Sequence, residues 1–439
     1  PQCGTTLTLG ASGDTVQLAS GASQSGFGRE GSVDWQTSVK TATFTAANGE
    51  GYFCNTSGGT FTVNLPAASV GNIVAIKDYA GTFQTNNLTI TPNGSDKIDG
   101  VNGNATISTE NASITLVFAD STRGWLNVND STNVEGAAFI TATGGTITTV
   151  CTNFKVHTFT GPGTFEITAG AGSIAKLDYL VVAGGGAGGT DFGGGGGAGG
   201  FRESKTSAVS GCWTASPLVS STPLGPFSPG SIPVTVGAGG SPVTGTGSGG
   251  AVLSNPGNVS TFSTITSTGG GRGGSSVPSH PNTTGEGGPG GSGGGGSWDS
   301  PGSGTAFAGG SGNTPPVSPP QGRDGGLGRH VGPSYNSQGG GGGATANGTC
   351  AGPGVGGGAG GAGATTSING TPTAYAGGGG GASNPGAGGT GGGGGGNPVS
   401  ASPNRNATAN TGGGGGGQGY STASGSGGSG IVIIRYKFQ

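Results

Sequence analysis

Methionine is missing from this chain and charge is nearly so. None of the 439 residues is Met, and only 8 % are Asp, Glu, Lys or Arg. The formal net charge is −3 with no basic stripe, which argues against nucleic acid as a partner. No apolar run nears the roughly 18 residues that a bilayer span needs. The longest, at 179–183 and 431–434, have the length of strands. No window shows sustained 3.6-residue periodicity, so helices are not expected. With neither an initiating Met nor a signal peptide, the sequence reads as a processed product or a fragment of something longer. Five cysteines (Cys3, Cys54, Cys151, Cys212 and Cys350) stand far apart, with no C-x-x-C pair and no Cys/His cluster. No metal and no cofactor are expected. The odd count leaves one thiol free or joined to another chain. Free buried thiols are the simpler reading, and a Cys212–Cys350 bridge is the alternative.

What the chain has is glycine. Of 111 glycines, 24 precede Ala183 and the other 87 follow it. They fall in about eleven runs: 184–189, 193–200, 237–240, 269–274, 285–296, 339–343, 352–363, 377–381, 386–396, 412–417 and 425–430. Such a segment has almost no side chains to bury, and ordering it has the largest backbone entropy cost. Either it stays disordered or the main chain becomes its own packing unit. Gly plus Pro, about 31 % of the chain, lies in the range of disordered sequences. Runs of similar length, β-branched strands on both sides and a low net charge point to order. Unbroken glycine readily takes a polyproline II helix, and side-by-side helices satisfy one another's N–H and C=O groups. The expectation is a polyglycine II bundle with rods of roughly 19–37 Å. Arg272, Glu286, Pro289 and Val355 interrupt the runs and should lie outside.

The fold class expected is all-β, in three parts. Residues 1–40 read as a short β-repeat stalk, with Leu7, Leu9, Val16 and Leu18 alternating with small polar residues. Repeats this thin gain burial by winding with copies of themselves. Residues 41–131 read as a β-sandwich with strands near 41–45, 51–55, 60–65, 72–78, 87–91, 113–118 and 125–128. Residues 132–439 form the glycine-rich part. Before its first run, Phe154, Val156, Phe165 and Ile167 flank Gly161-Pro162-Gly163 as a hairpin. The strands 177–182 and 431–436 bracket the runs and are expected to pair at their base.

Chemistry-bearing motifs are few. Gly184-Gly-Gly-Ala-Gly-Gly follows a strand and fits G-x-G-x-x-G, but the dinucleotide fingerprint needs a helix next. Here Thr190-Asp-Phe leads into more glycine, so nucleotide binding is rejected. His157, His280 and His330 are far apart and near no acidic cluster. Asp120 and Asp130 beside Trp125 mimic a glycosidase pair but read as solvated loop acids. No enzyme is expected. The recognition candidates are the non-glycine insertions. Residues 201–233 carry Cys212, Trp213 and Phe227. Residues 297–338 carry Trp298, Arg323, Asp324, Arg329, His330 and Tyr335, and residues 397–410 carry Arg405. Aromatics and Arg supply contact area and forked donors on loops held by a rigid scaffold. Covering the bundle's flanks is the alternative role.

Several segments together resemble a known family. Tyr179-Leu-Val-Val-Ala-Gly-Gly-Gly-Ala-Gly-Gly, Gly195-Gly-Gly-Ala-Gly-Gly and Gly428-Ser-Gly-Ile-Val-Ile-Ile-Arg-Tyr look like the glycine-rich domain of bacteriophage tail-fibre proteins, those of marine phages and cyanophages above all. Phe159-Thr-Gly-Pro-Gly-Thr-Phe fits the same domain. The segment beginning Leu7-Thr-Leu-Gly-Ala-Ser-Gly-Asp and that around Gly51-Tyr-Phe are similar to fibre shaft and sandwich pieces. The whole is similar to the polyglycine tip adhesins of T-even-like phages. What the resemblance implies is a virion-attached homotrimeric fibre, joined to other tail proteins, that binds a bacterial surface receptor, either outer-membrane protein or polysaccharide. A structural extracellular filament is the alternative, and a capsule depolymerase a third reading.

Overall fold

The computed structural model describes residues 33–128, 138–171, 174–206, 211, 213–222, 224–245, 252–276, 284–298, 306–330, 336–350, 352, 356–397, 405–419 and 422–438. The expected stalk at 1–40 lies almost wholly outside them. Two compact units divide the chain, Pro1–Glu135 and Gly136–Gln439. Each is all-β, and no described segment is an α-helix.

Among the described residues the first unit has nine strands: β1 Asp34–Lys40, β2 Phe44–Thr45, β3 Glu50–Cys54, β4 Phe61–Asn64, β5 Ile73–Asp78, β6 Leu88–Thr91, β7 Ala105–Ile107, β8 Ser113–Asp120 and β9 Gly124–Asn127. They form a five-stranded sheet, β1-β3-β5-β8-β9, and a four-stranded one, β2-β4-β6-β7. Two sheets over one core were expected, but their winding was not. Strands β1 to β6 alternate between the sheets, and β1, β3 and β5 pair in parallel, as do β2, β4 and β6. An ordinary sandwich is antiparallel; this one coils three times before β7, β8 and β9 close it antiparallel. Alternation of period two puts Tyr52, Val63, Val74, Ile76, Leu88, Ile90, Ile114 and Leu116 inside with Trp125. Asp78 is also buried, and its carboxylate accepts N–H groups from Gly81, Thr82, Phe83 and Asn111 at 3.0–3.2 Å. Asp78→Ala strands four donors and is expected to cost about 3 kcal/mol in urea denaturation.

The second unit begins with strands β10 Ala138–Thr143, β11 Thr146–Val150, β12 Phe154–Phe159, β13 Gly163–Ala171 and β14 Asp178–Val182. It continues with β15 Phe201–Ser204, β16 Val219–Ser220, β17 Gly230–Thr235, β18 Ser260–Phe262 and β19 Ile265–Ser267. Then come β20 Ala306–Phe307, β21 Gly328–His330, β22 Asn336–Ser337, β23 Ala364–Thr366, β24 Thr373–Tyr375 and β25 Ile431–Lys437. The two bracketing strands pair as expected: β14 and β25 are antiparallel, with Asp178 opposite Arg435 and Val182 opposite Ile431. The hairpin at Gly161-Pro162-Gly163 does not form. β12 pairs with β11 and β25, while β13 pairs with β10 and β17 in another sheet. The turn is a corner between two sheets, because Phe159 and Phe165 are both buried in the core between them. The opposite corner needs glycine. Gly144 has φ +105°, and a Cβ there would lie 2.0 Å from Thr164 O.

His157 is buried in this core between Gly144 O, 2.7 Å from Nδ1, and the Tyr436 hydroxyl, 3.0 Å from Nε2. Burial lowers its pKa below the usual 6.5, opposed by the Gly144 carbonyl and assisted by the Lys155 charge. A base whose folded pKa is depressed contributes stability above its unfolded pKa and loses it as pH falls towards the folded value. The thermal midpoint should therefore drop between about pH 7 and 5, and His157→Gln should flatten that part of the profile.

Between β14 and β25 the described glycine runs pack mostly main chain on main chain, with side chains meeting a few residues such as Gly200, Gly285 and Gly412. Gly184 N–H donates to Asn258 O, Gly185 to Gly428 and Gly186 to Gly197. Ala187 then returns to Asn255, Gly188 to Gly425 and Gly189 to Gly194. Each successive residue addresses a different neighbour, and the fourth comes back to the first neighbour three residues along. The run 193–200 is enclosed by six segments. It donates to 412–418, 268–274 and 339–342, and accepts from 183–189, 292–295 and 379–382. The spacing leaves no room for side chains: a Cβ on Gly195 would lie 2.0 Å from Gly379 O, and one on Gly414 2.0 Å from Gly196 O. Glu286 and Pro289 are exposed, as expected, whereas Arg272 is half-buried; Val355 lies outside the described residues.

The longest runs are not long rods. Run 285–296 bends at 290–292, and Gly294 and Ser297 donate back to Gly288 and Gly285. Run 386–396 turns at 390–392, where Gly391 and Gly392 have φ +96° and +90°, and Gly396 donates back to Gly386. A rod stops where its neighbours stop, since beyond them its N–H and C=O groups have no partners.

Candidate functional site

The bundle has two ends, and hydrogen-bond register shows which of them a described residue lies near. Run 184–189 leaves β14, turns at 190–192, and returns as 193–200 into β15. Whatever bonds to Gly193 is therefore at the far end, and whatever bonds to Gly199 or Gly200 is at the base. Gln418 O and Ala382 N–H meet Gly193, whereas Gly412 O and Thr268 O meet Gly199 and Gly200.

The far turn is strained. Asp191 and Phe192 are non-glycine residues with φ +51° and +59°, each costing of order 1–3 kcal/mol that the surrounding structure must offset. Gly189 N–H bonds to Gly194 O across the turn and holds it shut. Trp298 N–H donates to Phe192 O at 3.3 Å, and the two half-buried rings meet edge to face at 5.4 Å. Arg329 and His330 lie in β21, just after Gly328, whose Cβ position is 2.1 Å from Ser297 O. Arg405 O accepts from Gly416, two residues before Gln418. Its side chain is half-buried, and Nε and Nη1 are buried without a hydrogen-bond partner.

Thus Trp298, Arg329, His330 and Arg405 gather at the far end. Arg323 and Asp324 do not join them. Arg323 bonds through its main chain to Gly293 and Gly343, and Asp324 Oδ1 accepts from Gly312 at 2.7 Å. Gly293 and Gly343 adjoin Ser292 and Gly342, which bond to Ala198 near the base. Both residues are exposed there. Tyr335 and His280 lie outside the described residues.

The insertion at 201–233 covers the base instead. Trp213 is 6 % exposed, and its Nε1 donates to buried Asp178 at 3.0 Å; Thr206 donates to the same carboxylate through N–H and Oγ1. Glu203, also buried, accepts from Ser216 N–H, and burial raises its pKa. Arg435 is 0 % exposed, donates to Ile368 O and stacks on Phe154 with 4.5 Å to the ring centroid. These groups fasten the insertion and the β23–β24 hairpin to the base sheet. Of the cysteines, Cys54 is a buried thiol pushed up to about 12 by burial, and Cys350 is an exposed free thiol. Cys212 lies outside the described residues. Asp120 is exposed and caps its own turn through Thr122 and Arg123 N–H groups. No group of His, Cys, Asp and Glu among the described residues is arranged to hold a metal ion.

Sequence reasoning missed Phe192, Gln338 and Gln418. The signal for Phe192 was the Thr190-Asp-Phe break between two glycine runs. Gln338 and Gln418 each end a glycine run at the far end, which becomes visible only with the register.

Comparison with known proteins covers both units. Residues 158–437 match the family described as glycine-rich domain. Residues 8–135 match the family described as bacteriophage T4 gp9/10-like protein, N-terminal. No curated protein matches the chain.

Proposed function

Because the chain belongs to the glycine-rich domain family, and its first unit is similar to a phage tail component, we propose that it is a tail-fibre adhesin. Its first unit joins it to other tail proteins of a virion, and its glycine bundle presents recognition residues to a bacterial surface receptor. The scaffold is polyglycine II, supported by the three-residue alternation of hydrogen-bond partners and the six segments around 193–200. The observation that carries the reading is the two-ended register. It gathers Trp298, Arg329, His330 and Arg405 at the end away from the paired strands β14 and β25. A rigid scaffold holding aromatic and Arg side chains at one end is what a recognition surface requires. Arg323, Asp324 and Tyr335 complete the candidate set, Arg323 and Asp324 as flank contacts nearer the base. No reaction chemistry is needed for this role.

The fibre is a homotrimer in this reading, so that weak single contacts gain avidity. Light scattering of the purified chain should give a discrete trimer; open-ended fibrils would favour a structural filament built from associating glycine tracts. The adhesin role is tested with fluorescent full-length protein. It should label host cells of the parent phage and compete with that phage for adsorption; failure to label hosts that the phage adsorbs to would contradict it.

A further inference from the structure

The coil of the first unit has an open end. Among the described residues β1 has only β3 beside it, and β2 only β4. At the other edge of the five-stranded sheet the outer side of β9 is occupied: Trp125 N–H donates to Lys97 O, and Asp99 N–H to Trp125 O. Partners in a parallel pair share a face. Gln36, opposite buried Tyr52, and Phe44, opposite buried Val63, are therefore on the core side, while Trp35 lies across Gly51 on the other face. Gln36 and Phe44 are only half-buried. The Lys40 amine lies over the Phe44 ring, 5.4 Å from its centroid, and still leaves that ring half-exposed. Two bare parallel edges beside an unfinished core are a template for one more turn.

The chain ahead of β1 has the length and pattern for that turn. Residues 1–32 lie outside the described ones and lead directly into β1. One turn advances 16 residues from Asp34 to Glu50 and 19 from Phe44 to Val63. Counting back 16–19 residues from Asp34, Gln36 and Phe44 reaches Val16, Leu18 and Phe27. Within 14–28 no other apolar residue is larger than Ala. The stretch 28–33 then joins Phe27 to β1, much as 46–49 joins β2 to β3 and 65–72 joins β4 to β5. The matched phage-tail family also starts ahead of β1, at residue 8.

We infer that residues 14–28 of the same chain dock on the free sides of β1 and β2 as a further turn of the coil. Val16 and Leu18 take the places beside Asp34 and Gln36, and Phe27 the place beside Phe44. Gln17 belongs to the opposite face, since alternate strand residues point opposite ways. A connection as short as those inside the coil favours the chain's own segment over that of a neighbouring copy. The first unit then begins near residue 14, and only residues 1–13 remain for a stalk.

Native-state amide exchange on the full-length protein tests this at β1. The β1 N–H groups that point away from β3 should exchange at least about tenfold more slowly than in an unstructured chain. Leu18→Asp, which sets a charge against the core, should return them to the unstructured rate, whereas Gln17→Asp should change nothing. Unaltered protection in β5 and β8 would show that the rest of the unit stays folded. Cross-linking a Leu18→Cys/Gln36→Cys protein with a short bismaleimide reads which chain supplies the segment. The 18–36 link should lie within one chain, which then runs as a monomer on a denaturing gel. Unstructured exchange at those β1 groups in the unaltered protein, equal effects of Leu18→Asp and Gln17→Asp, or a link between two chains would overturn the inference.

Discussion

Gly195→Ala is expected to destabilise the second unit by about 3 kcal/mol or more, whereas Gly161→Ala should be neutral or slightly stabilising. Ordinarily, exchanging glycine for alanine lowers the entropy of the unfolded chain and helps. At Gly195 the new Cβ would lie 2.0 Å from Gly379 O and 3.0 Å from Gly341 N. Both are main chain of enclosed rods, so neither can move aside alone. Separating the rods breaks several N–H···O bonds together, each worth about 0.5–1.5 kcal/mol net. Gly161 has nothing within 4 Å and no left-handed φ. Calorimetry on both variants reads the contrast, and equal midpoints would mean that the runs do not pack as described.

Asp178→Ala carries the second large effect, about 3–5 kcal/mol from three stranded donors. The substitution leaves Trp213 Nε1, Thr206 N–H and Thr206 Oγ1 buried without their acceptor. It also removes the acid from the position opposite fully buried Arg435. Each buried donor left without an acceptor costs about 1–3 kcal/mol. Because this cluster fastens the 213–218 segment to the base sheet, protease cutting within that segment should appear in the variant before global unfolding. A variant with unchanged midpoint and cleavage would show that the cluster holds nothing.

Strands were legible wherever side chains write a pattern. Period-two alternation located β3 to β6, β8 and β9 within a residue or two, and the β-branched runs at 177–182 and 431–436 announced their pairing. β1, Asp34–Lys40, was read with the stalk and not as a strand of the sandwich, because it is mostly exposed and shows no alternation. The corner at Gly161-Pro162-Gly163 looked like a hairpin because local sequence does not say which sheet a strand joins. Parallel winding of the first unit was illegible for the same reason: it lies in long-range register. Glycine is the extreme case. Its runs show that main chain packs on main chain, yet a run without side chains has no code for its partner. The sequence therefore could not separate Arg323 and Asp324 from Trp298, or show that Gln418 lies beside Gly193.

The claim on which the rest stands is that every N–H of the enclosed runs is bonded within the protein. Native-state amide exchange on the full chain measures this directly at 184–189 and 193–200. The account predicts strong protection at every consecutive residue of both runs, lost only with unfolding of the whole unit. Exchange at the rate of an unstructured chain, or protection at alternate residues as on a sheet edge, would contradict it.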